Sequence, residues 1–124
     1  MSALARWFAA EGMSVAGYDR TATPLTDALK QEGVEIHFED EVAQIPLFIR
    51  EDKEDTLVVY TPAVPEDHKE LNWLREQGFE VVKRSVALGK ITQNHFTIAV
   101  AGTHGKTTTS SMIAHILKEA NVNF

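Results

Sequence analysis

The segment Gly102-Thr103-His104-Gly105-Lys106-Thr107-Thr108 constrains this chain more than any other, because its chemistry needs one structural setting. An apolar run, residues 96–101, precedes it, and a stretch with helical spacing, residues 106–119, follows it. That order predicts a strand, a tight loop and a helix. Glycines let the backbone turn sharply and bring main-chain N–H groups close to an anion. A helix N-terminus adds an oriented partial positive charge. Lys106 supplies a mobile point charge that reaches β- and γ-phosphates. Thr107 stands where P-loop proteins place the hydroxyl that ligates Mg²⁺. The seven residues therefore point to the phosphates of a nucleoside triphosphate. The spacing departs from the general pattern, whose first glycine would fall at Val100; here Gly102 stands closer to Gly105. The plainer alternative, a glycine- and threonine-rich turn with an incidental lysine, is disfavoured by the strand-to-helix setting. His104 reads as a spacer or hydrogen-bond donor, since no catalytic partner is evident.

The rest of the chain alternates strand-like and helix-like segments. Residues 2–11 form an expected helix with Leu4, Trp7 and Phe8 on one face, stopped by Gly12. Residues 13–18 form a short strand ending at Asp19. A helix opens at Thr23-Pro24, with Leu25, Ala28 and Leu29 inward, and Gly33 stops it. A strand over 34–38, a short helix over 39–45 and a charged, solvated connector over 50–55 follow. Residues 56–61 are the clearest strand, broken by Pro62 and Pro65. A helix over 66–77 turns Leu71 and Leu74 inward and is capped by Gly78. A strand over 79–82 and a short helix over 85–92 precede the strand at 96–101. This pattern predicts an α/β fold, a Rossmann-like, mostly parallel sheet with flanking helices. Such domains usually open on a strand. This chain opens on a helix too apolar for a free surface, so the sheet is expected to lack its first strand.

Bulk properties narrow the partners. A chain of 124 residues holds one domain, or one plus part of another. No stretch approaches the roughly 20 apolar residues of a membrane span. The N-terminus lacks the basic start and long apolar run of a signal peptide. The absence of cysteine excludes a disulfide framework and a thiolate site. These features favour a cytoplasmic protein without a membrane partner. A net charge of −6 without a Lys/Arg cluster argues against nucleic acid.

The loop from Ala101 to Thr109, shortened and carrying a histidine, resembles the ATP-binding loop of the Mur ligases, which add amino acids to the UDP-linked peptidoglycan precursor. The histidine form is similar to that of the members joining L-alanine to UDP-N-acetylmuramate. Met1-Ser2-Ala3-Leu4-Ala5 resembles the end of their N-terminal glycine-rich signature, Val15 to Asp19 their second strand, and Thr61-Pro62-Ala63-Val64 a loop near the sugar nucleotide. Lys83-Arg84-Ser85 resembles the approach to their ATP domain. The resemblance implies a UDP-sugar-binding domain over 1–92 and the start of an ATP-binding domain over 93–124. It implies ATP and Mg²⁺ as cofactors, Lys106 as the catalytic residue and Thr107 as the Mg²⁺ ligand. Asp19, Thr61, Pro62 and Ala63 become the sugar-nucleotide contacts. The reaction would run through an acyl phosphate on UDP-N-acetylmuramate, attacked by L-alanine. The family's glycine-rich loop and its later domains are absent from the sequence, so it reads as an N-terminal fragment without activity of its own.

A first strand removed from a doubly wound sheet leaves a gap in its middle, with unpaired backbone on both sides. The strand expected at 96–101 is the same kind of unit as the missing one. It is expected to fill the gap, within the chain or by exchange in a homodimer. A murein-peptide recycling ligase of the same family and a non-catalytic nucleotide-binding module are the competing readings. A dehydrogenase fits less well, since the glycine fingerprint after a first strand is not present.

Overall fold

The computed structural model describes residues 1–124 and divides them into two compact units, Met1–Gln93 and Asn94–Phe124. The first runs α1 Ser2–Ala10, β1 Ala16–Tyr18, α2 Pro24–Gln31, β2 Glu35–His37, a 3-10 turn Val42–Gln44, α3 Leu47–Arg50, β3 Leu57–Tyr60, α4 Lys69–Glu76, β4 Glu80–Lys83 and α5 Arg84–Thr92. Its strands make two parallel pairs. β1 pairs with β2 from Ala16↔Glu35 to Tyr18↔His37, and β3 with β4 from Leu57↔Glu80 to Tyr60↔Lys83. Parallel neighbours need a crossover, and α2 and α4 supply one to each pair. The α/β class read from the sequence is what the chain adopts.

Local chemistry sets the helix phases. Thr23 and Thr26 form a reciprocal capping box: Thr26 N–H donates to Thr23 Oγ1 at 3.3 Å, and Thr23 N–H to Thr26 Oγ1 at 2.8 Å. The box buries Thr26 and Leu29 and leaves Leu25 49% exposed, so Leu25 does not face inward as its spacing suggested. Three helices end on the same hydrogen bond, which returns the chain toward a strand. Met13 N–H donates to Phe8 O at 3.1 Å, Val34 N–H to Leu29 O at 3.0 Å, and Phe79 N–H to Leu74 O at 3.1 Å.

Two elements of the first unit differ from expectation. The helix expected at 39–45 shrinks to the 3-10 turn, and α3 forms beyond it, because Pro46 cannot extend a preceding helix. α4 begins at Lys69 rather than 66, since Pro65 to His68 make a turn closed by His68 N–H on Pro65 O at 3.2 Å. The core is a cluster of Ile45, Leu74 and Phe79, with Val42, Ile49, Val58, Trp73 and Val81 packed against it. It thus joins the segment after β2 to the β3–α4–β4 half.

In the second unit α6 spans Lys106–Glu119, and none of its residues is buried. Its end closes through Val122 N–H on Leu117 O at 2.9 Å, with Asn121 at φ 53°. The strand expected at 96–101 is not formed: these residues have no regular structure. A strand exists only by pairing, and no ladder partner is present, so Phe96 is 96% and Ile98 51% exposed.

Leu74→Ala removes a leucine from the centre of the small core and is expected to cost about 2–4 kcal/mol. Urea unfolding followed by the fluorescence of Trp73 measures it. A loss below about 0.5 kcal/mol would show that the cluster does not hold the unit together.

Candidate functional site

The carboxyl ends of three strands gather at one rim of the first unit. β1 ends at Tyr18, whose ring lies edge-to-face with His68 at 4.6 Å between centroids. β2 ends at His37, whose Nε2 bonds both carboxylate oxygens of Glu70, at 2.7 and 2.9 Å. His68 and Glu70 belong to the first turn of α4, which follows the loop leaving β3. Ligands of open α/β sheets bind at such carboxyl-end rims.

The first turn of α4 needs acceptors for its free N–H groups, and the segment after β2 provides them. Asp40 accepts from Lys69 N–H at 2.9 Å and from Glu70 N–H at 3.0 Å. His68 caps its own helix, with Nδ1 accepting from Leu71 N–H at 3.2 Å. Glu70, only 5% exposed, is satisfied by His37 and by Glu41 N–H at 3.1 Å. A buried carboxylate persists only with such partners. Partial burial works to raise the Asp40 carboxyl. The N–H donors of Lys69 and Glu70, with the charge of Lys69, outweigh it and hold the group below its ordinary range. His68 Nδ1 also lies 3.3 Å from Asp40, and its buried Nε2 has no partner.

A cleft of about 240 Å³ opens beside this rim, lined by β1, β3, Thr61, Val64 and His68. Of the sequence-derived contacts, Thr61 lines the cleft and starts a tight turn closed by Val64 N–H on its carbonyl at 3.1 Å. Pro62 and Ala63 are exposed at the tip of that turn. Asp19 is exposed just past β1, its Oδ1 accepting from Thr21 N–H at 3.3 Å. Sequence reading missed His37, Asp40, His68 and Glu70. The one signal available was an ionisable cluster at a helix start, Asp67-His68-Lys69-Glu70, and no periodicity connected it to His37.

In the second unit the residues expected to bind phosphate form an exposed loop before α6. Gly105 is the N-cap, at φ 76°, a left-handed conformation that a side chain would strain. At Gly102 a Cβ would stand 3.3 Å from His104 O, so the loop closes tightly on itself. Lys106 folds back over it, with Nζ donating to Gly102 O at 2.6 Å. The loop therefore offers what an anion needs: free first-turn N–H groups, the positive end of a helix, and an ammonium held over the backbone. Thr103, His104, Thr107 and Thr108 are exposed around it. No group of three His, Asp or Glu residues could hold a metal ion. An Mg²⁺ ion bound with a substrate phosphate would find one protein oxygen in this loop, the hydroxyl of the exposed Thr107.

Residues 1–96 match the profile described as Mur ligase family, catalytic domain. The chain is 57% identical over 123 residues to the UDP-N-acetylmuramate–L-alanine ligase of Parabacteroides distasonis, covering 99% of this chain and 26% of that protein. It is 55% identical over 119 residues to the ligase of the same name from Christiangramia forsetii, covering 96% and 26%. The chain thus spans about a quarter of the length of these curated relatives. A solved structure from Neisseria meningitides, a UDP-N-acetylmuramate:L-alanyl-gamma-D-glutamyl-meso-diaminopimelate ligase, superposes with a TM-score of 0.77 at 27% identity, covering 97% of this chain and 36% of that one.

The caps from Asp40 set a pH dependence. An aspartate held low in the folded state contributes stability that is present above its ordinary range and lost as pH falls through the lowered value. Asp40→Ala is expected to cost about 1–2 kcal/mol at neutral pH and to flatten the acid limb of stability against pH. Urea unfolding at stepped pH checks both. An unchanged acid limb would remove Asp40 from the account.

Proposed function

The chain belongs to the Mur ligase family, and on that premise we propose that it carries the sugar-nucleotide domain and phosphate loop of an ATP-dependent ligase joining L-alanine to UDP-N-acetylmuramate in peptidoglycan synthesis. The observation that carries this reading is the 57% identity, spanning rim and loop together, to a ligase of that name. Residues 1–92 act as the UDP-sugar-binding domain, and residues 93–124 begin the ATP-binding domain. The setting is cytoplasmic. No helix is long and apolar enough to cross a membrane.

Each residue has a physical job. The first-turn N–H groups of Lys106, Thr107 and Thr108, with the backbone of Gly102 to Gly105, cradle the phosphates. Lys106 exchanges the carbonyl of Gly102 for a phosphate oxygen, trading a neutral acceptor for a charged and stronger one. It is the catalytic residue, neutralising the phosphoryl group in transfer; positioning and charge stabilisation are most of what a protein supplies to such a step. Thr107 gives its hydroxyl to Mg²⁺. Asp19 and the turn of Thr61, Pro62 and Ala63 hold the sugar nucleotide at the rim. ATP, when bound, supplies the phosphoryl group that activates the carboxylate for the amine of L-alanine. The polypeptide of 124 residues is inactive by itself and binds its ligands without turnover. The recycling ligase is the second reading, favoured by the Neisseria structure, but at 27% identity it stands well behind.

Isothermal titration of the chain with Mg-ATP and with UDP-N-acetylmuramate, in parallel with Lys106→Ala, tests the assignment. The substitution removes a charge-assisted contact of about 1.5–3 kcal/mol and is expected to weaken Mg-ATP by roughly 10- to 100-fold, leaving the sugar nucleotide unaffected. In a complete enzyme the same change nearly abolishes turnover. Near-normal turnover there would refute the role of Lys106.

A further inference from the structure

The start of α4 sets one ring nitrogen between two groups that it cannot serve together. His68 Nδ1 lies 3.2 Å from the amide nitrogen of Leu71 and 3.3 Å from Asp40 Oδ1. Leu71 N–H is a donor without a partner inside the helix, because it belongs to the first turn. The Asp40 carboxylate is an acceptor. An imidazole nitrogen holds either a lone pair or a hydrogen. With the lone pair, Nδ1 accepts from Leu71 and caps the helix. It then faces a carboxylate oxygen, acceptor against acceptor. With a hydrogen, Nδ1 donates to Asp40, and Leu71 N–H loses its acceptor. Nε2 carries a hydrogen in both states, so the choice is made at Nδ1.

The surroundings of the ring keep both states within reach. Asp40 is held in place by the N–H groups of Lys69 at 2.9 Å and Glu70 at 3.0 Å. Its carboxyl lies below its ordinary range, so it stays charged while an imidazole beside it titrates. The other charged groups of the seam are engaged elsewhere. Glu70 bonds His37 Nε2 and Glu41 N–H, and Lys69 Nζ bonds Glu41. β1 contributes the Tyr18 ring, edge-to-face with His68 at 4.6 Å. We propose that His68 is a proton-operated cap of α4. Neutral, it closes the first turn through Leu71; protonated, it gives that nitrogen to Asp40 and releases the turn. Histidine is the side chain that ordinarily changes charge between roughly pH 5 and 8. The change reaches the rim by two routes. His68 N–H closes the turn on Pro65 O at 3.2 Å, so the segment that runs from Thr61 into α4 is anchored at the switching residue. The His68 ring also supports Tyr18, the last residue of β1. The bound proton removes one unit of negative charge from the Asp40–His68 pair. Acid thus leaves the rim looser and less negative, whether or not a sugar nucleotide binds there.

Imidazole and amide nitrogen spectra of the full chain, recorded from about pH 8 down to about pH 5, test the switch. At the upper end His68 is expected as the neutral ring with its hydrogen on Nε2. As the pH falls, its Nδ1 signal is expected to become that of a protonated nitrogen. The Leu71 amide signal is expected to move with the same midpoint, and the Tyr18 ring signals with it. His68→Asn supplies a capping oxygen that takes no proton. In that variant the Leu71 amide is expected to stay still over the same range, with the helix retained by circular dichroism. His37→Gln is expected to leave the Leu71 change in place. If His37→Gln fails to fold, the separate His37 and His68 signals of the unsubstituted chain make the same distinction. A neutral His68 with its hydrogen on Nδ1 would overturn the proposal. So would a His68 that takes up no proton in this range, or a Leu71 amide that ignores the titration of His68. A Leu71 change that survives His68→Asn, or one that follows His37 instead, would overturn it as well.

Discussion

The first turn of α4 is the interaction on which the rest of the first unit depends. A helix start leaves N–H groups that must find acceptors. Here they are met by His68 from the helix itself and by Asp40 from the segment after β2. The same turn buries Glu70 against His37, the last residue of β2. No ladder joins the β1–β2 pair to the β3–β4 pair. This polar seam, with the small core of Ile45, Leu74 and Phe79 behind it, is what ties them. It also brings the carboxyl ends of β1, β2 and β3 to one rim. The position of the candidate sugar-nucleotide site is therefore a consequence of how one helix start satisfies its backbone.

The seam is demanding as well as useful. Buried polar groups stabilise only when every member is paired, and an orphan carries a desolvation penalty. Glu70 and Asp40 are fully engaged. His68 is engaged at Nδ1 and orphaned at Nε2, next to the cleft. The unpartnered atom of the polar network thus borders the cleft.

Much of this was legible in the sequence. Helix starts and stops at Thr23-Pro24, Gly33 and Gly78 fixed α2, β2 and the α4–β4 turn, because caps are local chemistry that reads directly from residue types. The loop at 102–108 was legible for the same reason: a glycine N-cap followed by lysine and threonines specifies its own geometry. Four things were not. Leu25 faces outward because the capping box sets the helix phase, and spacing alone does not show which threonine bonds which. Pro46 splits a helix that hydrophobic spacing would have run together. The strand at 96–101 carries strong strand chemistry and still does not form, since pairing is a tertiary property. The His37–Glu70 contact spans distant segments and has no local signature. Half of the candidate site was therefore hidden, and it was the half that positions rather than binds.

The central claim is that rim and loop are separate sites for two different ligands on one chain. Backbone amide chemical shifts, recorded while UDP-N-acetylmuramate and Mg-ATP are added separately, test it most directly. The account predicts that the sugar nucleotide moves the signals of Tyr18, Asp19, Thr61 and Val64 and leaves the loop still. It predicts that Mg-ATP moves Gly102, Gly105, Lys106, Thr107 and Thr108. Shifts from UDP-N-acetylmuramate confined to the loop, or no response at the rim at saturating concentration, would contradict it.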